Sequence, residues 1–129
     1  MSLLSPKEAV VLMYESVAAG DYDKARSLMH PEYHSHTQPH ETSVDAFFKE
    51  MDAVKRTMTA TRRETILTME EGAMAVILQR VEGIHKDTGD KIAYRSADFF
   101  RIAEDGRIKE HWDAVTFDGS DLFDTIEPN

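Results

Sequence analysis

The chain has 129 residues, the usual size of one domain, and its 41% hydrophobic and 30% charged residues are typical of a soluble globular protein. Its net charge of −9 argues against nucleic acid or an anionic membrane as a partner, because both attract basic surfaces. Cysteine is absent, which excludes disulfides and thiolate catalysis. Because the sequence shows neither a signal-peptide segment nor an apolar run near the roughly 20 residues of a membrane span, we expect a cytoplasmic protein.

Three helices are predicted in the first half of the chain. Ser5 is the expected N-cap of the first helix, Glu8 completes a capping box, and Gly20 ends the helix. A short second helix is expected from Asp21 to about Met29. Ser43 caps the third helix. The apolar stripe of that helix consists of Val44, Phe47, Phe48, Met51 and Val54.

Strands are predicted after the third helix, because apolar and polar residues alternate between turn signals. They comprise residues 62–70, 73–85, 91–103 and 107–117. An extended piece around residues 33–38 is expected to add a short edge strand, and residues 118–129 to form a loosely held acidic tail. Helices followed by an antiparallel meander predict a single α+β domain over residues 1–129, in which a curved antiparallel sheet wraps on three N-terminal helices and leaves one apolar cavity.

The hairpin formed by the last two predicted strands carries the main functional signal. Because side chains alternate between the two faces of a strand, a loop of two or four residues brings five side chains of this hairpin to one face, whereas a loop of three residues without a compensating bulge would reverse this relation. They are Asp98, Phe100, His111, Asp113 and Val115. Two carboxylates and an imidazole among apolar neighbours are costly to bury. This face is therefore a candidate acid–base pocket.

Chemistry next to a carbonyl group needs a base that removes a proton and a donor that stabilises the developing oxyanion. Asp113 and Asp98 are the candidates for these roles, because two carboxylates in one apolar pocket separate their pKa values. His111 is predicted to orient Asp113 or to transfer the proton. The alternative is structural: either aspartate forms an ion pair with Arg80 or Arg95, and His111 is a buried histidine bonded to the backbone.

The opposite face of the hairpin carries Phe99 and Trp112, together with Ala97 and Ala114. An exposed apolar patch of this size is unusual on a monomer. We therefore predict a homodimer that forms through the outer face of the sheet.

Residues 98–102 (DFFRI), 105–108 (DGRI) and 110–113 (EHWD) resemble the signature of SnoaL-like polyketide cyclases, which belong to the nuclear transport factor 2-like superfamily. Residues 33–36 (YHSH) resemble the Tyr-x-x-His segment of that family. The resemblance implies a cone-shaped α+β barrel, a dimer packed through the sheet, and cyclisation by acid–base residues without metal or cofactor. The catalytic aspartate of the family maps onto Asp113. Ketosteroid isomerases share the fold, and their protonated, hydrogen-bond-donating aspartate maps onto Asp98.

Further residues are candidates for substrate binding. Tyr33 and Tyr14 lie near tyrosines of the family, and His36 is predicted to bond to a ligand at the cavity mouth. Arg80, Phe100 and Val115 complete the predicted substrate-binding set. His34, His36 and His40 raise the possibility of a zinc site, but such sites need three or four converging ligands and the family uses no metal, so none is expected.

Two functions remain open at this stage. The first is a cofactor-free acid–base enzyme that acts on a small apolar carbonyl compound by cyclisation or isomerisation, or by the hydrolysis that this fold also supports. The second is a non-catalytic small-ligand-binding or dimeric scaffold domain of the same fold, because fold alone does not fix function. The expected partners are the small ligand and a second copy of the chain.

Overall fold

A computed structural model describes residues 3–36 and 42–117. Within these ranges the chain forms three helices and five strands. In chain order they are α1 (Pro6–Ala18), α2 (Tyr22–Ser27), β1 (Met29–Ser35), α3 (Val44–Thr57), β2 (Met58–Glu71), β3 (Met74–His85), β4 (Lys91–Ile102) and β5 (Ile108–Phe117). The predicted acidic tail and His40 lie outside the described residues. No helix in the described ranges is both long and apolar enough to cross a membrane.

The predicted helix caps are confirmed. The Ser5 hydroxyl accepts a hydrogen bond from the Glu8 backbone N–H at 3.3 Å, and the Glu8 carboxylate accepts one from the Ser5 N–H at 2.9 Å. Asp21 caps α2 and Ser43 caps α3 through side-chain oxygens that accept backbone hydrogen bonds. These bonds satisfy N–H groups that have no partner inside the helix, and so they set where each helix begins.

The sheet has the strand order β1-β5-β4-β3-β2. Strands β2 to β5 form the predicted antiparallel meander, and the α+β prediction is confirmed. Strand β1 departs from the expectation of an antiparallel sheet, because it pairs parallel with β5. It also begins at Met29, so α2 ends at Ser27 rather than near Met29. The Ile108 N–H donates to the Leu28 carbonyl at 2.9 Å, and this pairing replaces a further helical turn.

The helices pack on one face of the sheet, which we call the inner face. The large side chains that are almost completely buried are Val10, Met13, Ile77, Phe100 and Ile108. They belong to one apolar cluster that joins the helices to strands β3, β4 and β5. A smaller cluster of Ile66, Leu78 and Ala97 lies on the outer face. Both faces of the sheet therefore carry apolar side chains.

Gly83 lies where β3 and β2 approach closely, which gives a test of this packing. A Cβ atom at Gly83 would lie 2.7 Å from the Met58 side chain and 2.8 Å from the Thr59 carbonyl oxygen. Gly83→Ala is expected to lower the free energy of unfolding by about 1–3 kcal/mol, because the backbone oxygen cannot move aside without disturbing the pairing of the two strands. Urea denaturation measures this change. An unchanged midpoint and slope would contradict the close approach.

Candidate functional site

His111 occupies the centre of a hydrogen-bonded group on the inner face. Its Nε2 atom lies 2.8 Å from Asp98 Oδ1, and its Nδ1 atom lies 3.1 Å from the Ser35 hydroxyl. The side chains of His111 and Asp98 are only 11% and 7% exposed. Because each ring nitrogen has its own partner, the imidazole is held in a single orientation.

Asp98 is held by two further side chains. The Ser96 hydroxyl donates to Asp98 Oδ2 at 2.7 Å, and Gln79 Nε2 donates to the same oxygen at 3.4 Å. Ser96 precedes Asp98 by two residues on β4 and is paired directly with Gln79 on β3, so all three side chains share the inner face. These bonds satisfy a carboxylate that is almost fully buried.

Asp113 is paired with Asp98 across the β4–β5 ladder, and Phe100 is paired with His111. The predicted common face of the hairpin is therefore confirmed. Asp113 Oδ2 lies 3.8 Å from His111 Nε2, and the Asp113 side chain is 19% exposed. It is the most accessible of the three side chains.

Two tyrosines border this group. Burial raises the pKa of Tyr14 well above its usual value, and the nearby carboxylate of Asp98 raises it further. Burial also raises the pKa of Tyr33, while a hydrogen bond with Ser35 opposes the rise. Both hydroxyls therefore remain protonated at neutral pH and can donate hydrogen bonds. Tyr14 is in turn hydrogen-bonded to the side chain of Gln79.

Residues 10–111 match the model of the SnoaL-like domain family. The chain belongs to this family. The predicted resemblance is thus confirmed over most of the chain, and the match ends at His111, part-way along β5. No curated protein matches the chain at a significant level.

Several solved structures share the SnoaL-like fold of this protein. AclR of Streptomyces galilaeus, a proposed hydroxylase, superposes with a TM-score of 0.75 at 17% identity, covering 96% of this chain and 87% of AclR. IdmH of Streptomyces antibioticus, a proposed polyketide cyclase, superposes with a TM-score of 0.71 at 20% identity, covering 87% of this chain and 92% of IdmH. A nuclear transport factor 2-like protein of Burkholderia thailandensis superposes with a TM-score of 0.73 at 16% identity, covering 88% of this chain and 92% of that protein. Identities this low establish the fold alone.

Phe100 and Val115 share the inner face of this SnoaL-like domain but differ in exposure. Phe100 is buried, its ring stacks on His111 at 4.7 Å between centroids, and Tyr14 contacts it edge-on at 6.0 Å. Phe100 therefore packs against one face of the His111 ring. Val115 is exposed at the far end of β5, paired with Ser96, which leaves it available for ligand contact.

The prediction that His36 lies at the cavity mouth is wrong. In β1, Tyr33 and Ser35 are buried on the inner face, while His34 and the next residue after the strand, His36, are exposed on the outer face. The His36 ring stacks on Trp112 at 4.7 Å between centroids, and its Nε2 atom lies 2.8 Å from Glu110. The cause is the alternation of β1, which brings the serine of the YHSH segment to the inner face instead of its histidines.

The expected pairing of Arg80 with Asp98 or Asp113 is contradicted by the strand register. Arg80 is paired with Arg95 on the outer face, whereas both aspartates lie on the inner face. The Arg80 guanidinium lies 3.6 Å from the Glu64 carboxylate. Arg80 is therefore not positioned to bind a substrate at the inner group. The structural alternative predicted that the His111 ring bonds to the backbone. In the structure it bonds to the side chains of Ser35 and Asp98 instead.

Three polar residues of the site were not predicted from the sequence: Ser35, Gln79 and Ser96. A signal existed for Ser96, because it precedes Asp98 by two residues and so falls on the same face. The β3–β4 pairing then places Gln79 opposite Ser96. The indication for Ser35 was weaker, because only its position between His34 and His36 connected it with a possible site.

Two clefts are lined by described residues, and both lie away from this group. One, of about 490 Å³, includes His30, Arg101 and Lys109 near the β4–β5 turn. The other, of about 400 Å³, includes Arg26 and Val44 beside the start of α3. The predicted apolar cavity at the inner group thus stays a prediction.

Proposed function

We propose that this SnoaL-like protein is a cofactor-independent acid–base enzyme that acts on a small apolar carbonyl compound by cyclisation or isomerisation in the cytoplasm. The observation that carries the proposal is the Asp98–His111–Asp113 group, because it combines two carboxylates and an imidazole on a largely buried face bordered by two protonated tyrosines. The similarity to IdmH, a proposed polyketide cyclase, supports the same reaction class.

The three side chains receive different roles in this proposal. Asp113 is the most accessible and is the base that takes a proton from the carbon next to the carbonyl. His111 Nε2 lies 3.8 Å from Asp113 Oδ2, and the imidazole stabilises the negative charge that the Asp113 carboxylate carries before it takes the proton and after it releases it. Asp98 fixes His111 and accepts hydrogen bonds from Ser96 and Gln79. Tyr14, rather than a protonated Asp98, is the proposed hydrogen-bond donor to the enolate oxygen.

Exchange of carbonyl-adjacent protons for deuterium tests this function without knowledge of the natural substrate. The protein is incubated in D₂O with a panel of small apolar ketones, and incorporation of deuterium is followed by NMR. A base positioned as proposed accelerates exchange for ketones that fit the site. If ketones bind but show no protein-dependent exchange, the proposal is refuted in favour of the ligand-binding alternative; if none binds, it is refuted in favour of the scaffold.

We also propose that two copies pack through their outer sheet faces. Phe99 is 39% exposed there, and it is paired with Val76, which is only partly buried. Burying this surface against a second copy removes it from water.

The dimer is expected to dissociate when a charge is placed at the centre of this surface. Light scattering at micromolar concentration should give the mass of a dimer for the unmodified chain and of a monomer for Phe99→Asp, because a carboxylate in an apolar interface is strongly unfavourable. Leu3→Asp is the control, since Leu3 is exposed outside the sheet and its replacement should leave the mass unchanged. A monomeric mass for the unmodified chain would refute the proposal.

A further inference from the structure

We propose that Asp98, His111 and Asp113 form a binding site for one divalent transition-metal ion such as Zn²⁺ or Co²⁺. One ligand atom from each side chain lies within 4.8 Å of the other two. His111 Nε2 is 2.8 Å from Asp98 Oδ1 and 3.8 Å from Asp113 Oδ2. Ligands about 2.1 Å from one ion lie about 3.0–3.4 Å apart at right or tetrahedral angles. Binding therefore requires His111 and Asp98 to lose the proton between them and to separate slightly, while Asp113 rotates towards them.

Groups outside these three side chains hold the ligands in place. Ser35 bonds to His111 Nδ1, which leaves Nε2 directed at the carboxylates. Ser96 and Gln79 bond to Asp98 Oδ2, which leaves Oδ1 directed at Nε2. Metal-binding histidines and carboxylates typically have such partners on the atoms that do not bind the ion.

The surroundings also favour a cation. Two carboxylates converge in a region with little solvent, where the attraction of a divalent ion is screened less than in water. Among residues 3–36 and 42–117, no other set of three or more potential ligands converges in this way. One imidazole and two carboxylates suit first-row divalent ions, and three protein ligands leave a coordination position open for water or a small molecule.

A bound ion would replace the proton that His111 Nε2 and Asp98 Oδ1 share in their hydrogen bond. It would therefore compete with the acid–base role of the group and should inhibit proton exchange. The two proposals are separable, because exchange is measured in the presence of a chelator and metal binding is measured without a ketone. Failure of either one leaves the other standing.

The test is a titration of untagged, chelator-dialysed protein with CoCl₂, followed by visible absorption. The chain contains no cysteine, so the spectrum reports nitrogen and oxygen ligands only. We expect absorption that saturates at one ion per chain. His111→Gln should abolish it, and Asp113→Asn should weaken binding by more than the roughly 10–100-fold that loss of an outer hydrogen-bonding partner typically costs. Circular dichroism verifies that each variant is folded.

His36→Gln is the matched control, because His36 also lies beside a carboxylate and next to a second imidazole, but on the outer face. Cobalt binding should be unchanged in this variant. No saturable binding to the folded, unmodified chain would overturn the proposal. Binding that persists in both inner-face variants but disappears in His36→Gln would assign the ion to the outer histidines and would overturn it as well.

Discussion

Replacing Asp113 by asparagine is expected to lower the rate of proton exchange on a bound ketone by about 10²–10⁴-fold. The amide has nearly the same shape as the carboxylate, so the substitution removes the base and keeps the volume of the side chain. His111 remains fixed by Ser35 and Asp98, because neither of these contacts involves Asp113. The loss should therefore appear in the rate of the chemical step and much less in ligand affinity.

Exchange rates at saturating ketone concentration, measured in D₂O with chelator present, check this prediction. Asp87→Asn is the matched control, because it replaces the same carboxylate by the same amide far from the inner group. Asp87 is exposed in the loop between β3 and β4. The Asp113 variant should unfold at the same temperature as the original protein or higher, because one of two neighbouring, largely buried carboxylates has been removed. Full exchange activity in Asp113→Asn would exclude Asp113 as the base.

The largest expected effect on stability comes from Phe100→Ala. Phe100 is 1% exposed and joins α1 to the functional face by contacting both Tyr14 and His111. Its removal leaves a cavity that the surrounding helices and strands cannot fully close. We expect the free energy of unfolding to fall by about 3–5 kcal/mol.

Urea denaturation at submicromolar protein concentration measures this loss. Phe99→Ala is the matched control, because Phe99 is the next residue on β4 but faces outward and is 39% exposed. It should cost much less under these conditions, since its side chain is already partly in water. Equal losses for the two variants would mean that the inner and outer faces are assigned incorrectly.

The sequence determined the local elements of this protein and the internal geometry of its last hairpin. Capping residues such as Ser5 and Ser43 act on the turn that follows them, so helix starts are readable from short segments. The hairpin is equally local, because a short turn fixes the pairing of its two strands. The common face of Asp98, His111 and Asp113 was expected from a loop of two or four residues, but in the structure a shift of register between Arg101 and Ile102 produces the same pairing.

Contacts between distant segments were decided only by the tertiary structure. The parallel pairing of β1 with β5 joins residues far apart in the chain, and no turn in the sequence encodes its direction or its phase. That phase turns Ser35 inward and His36 outward, which the histidine-rich segment did not reveal. Strand β3 carries apolar residues on both faces. The alternation of its side chains therefore could not show that the helices cover the face of Gln79 and not the face of Arg80. The choice between faces depends on where the helices pack, and this is a property of the whole fold.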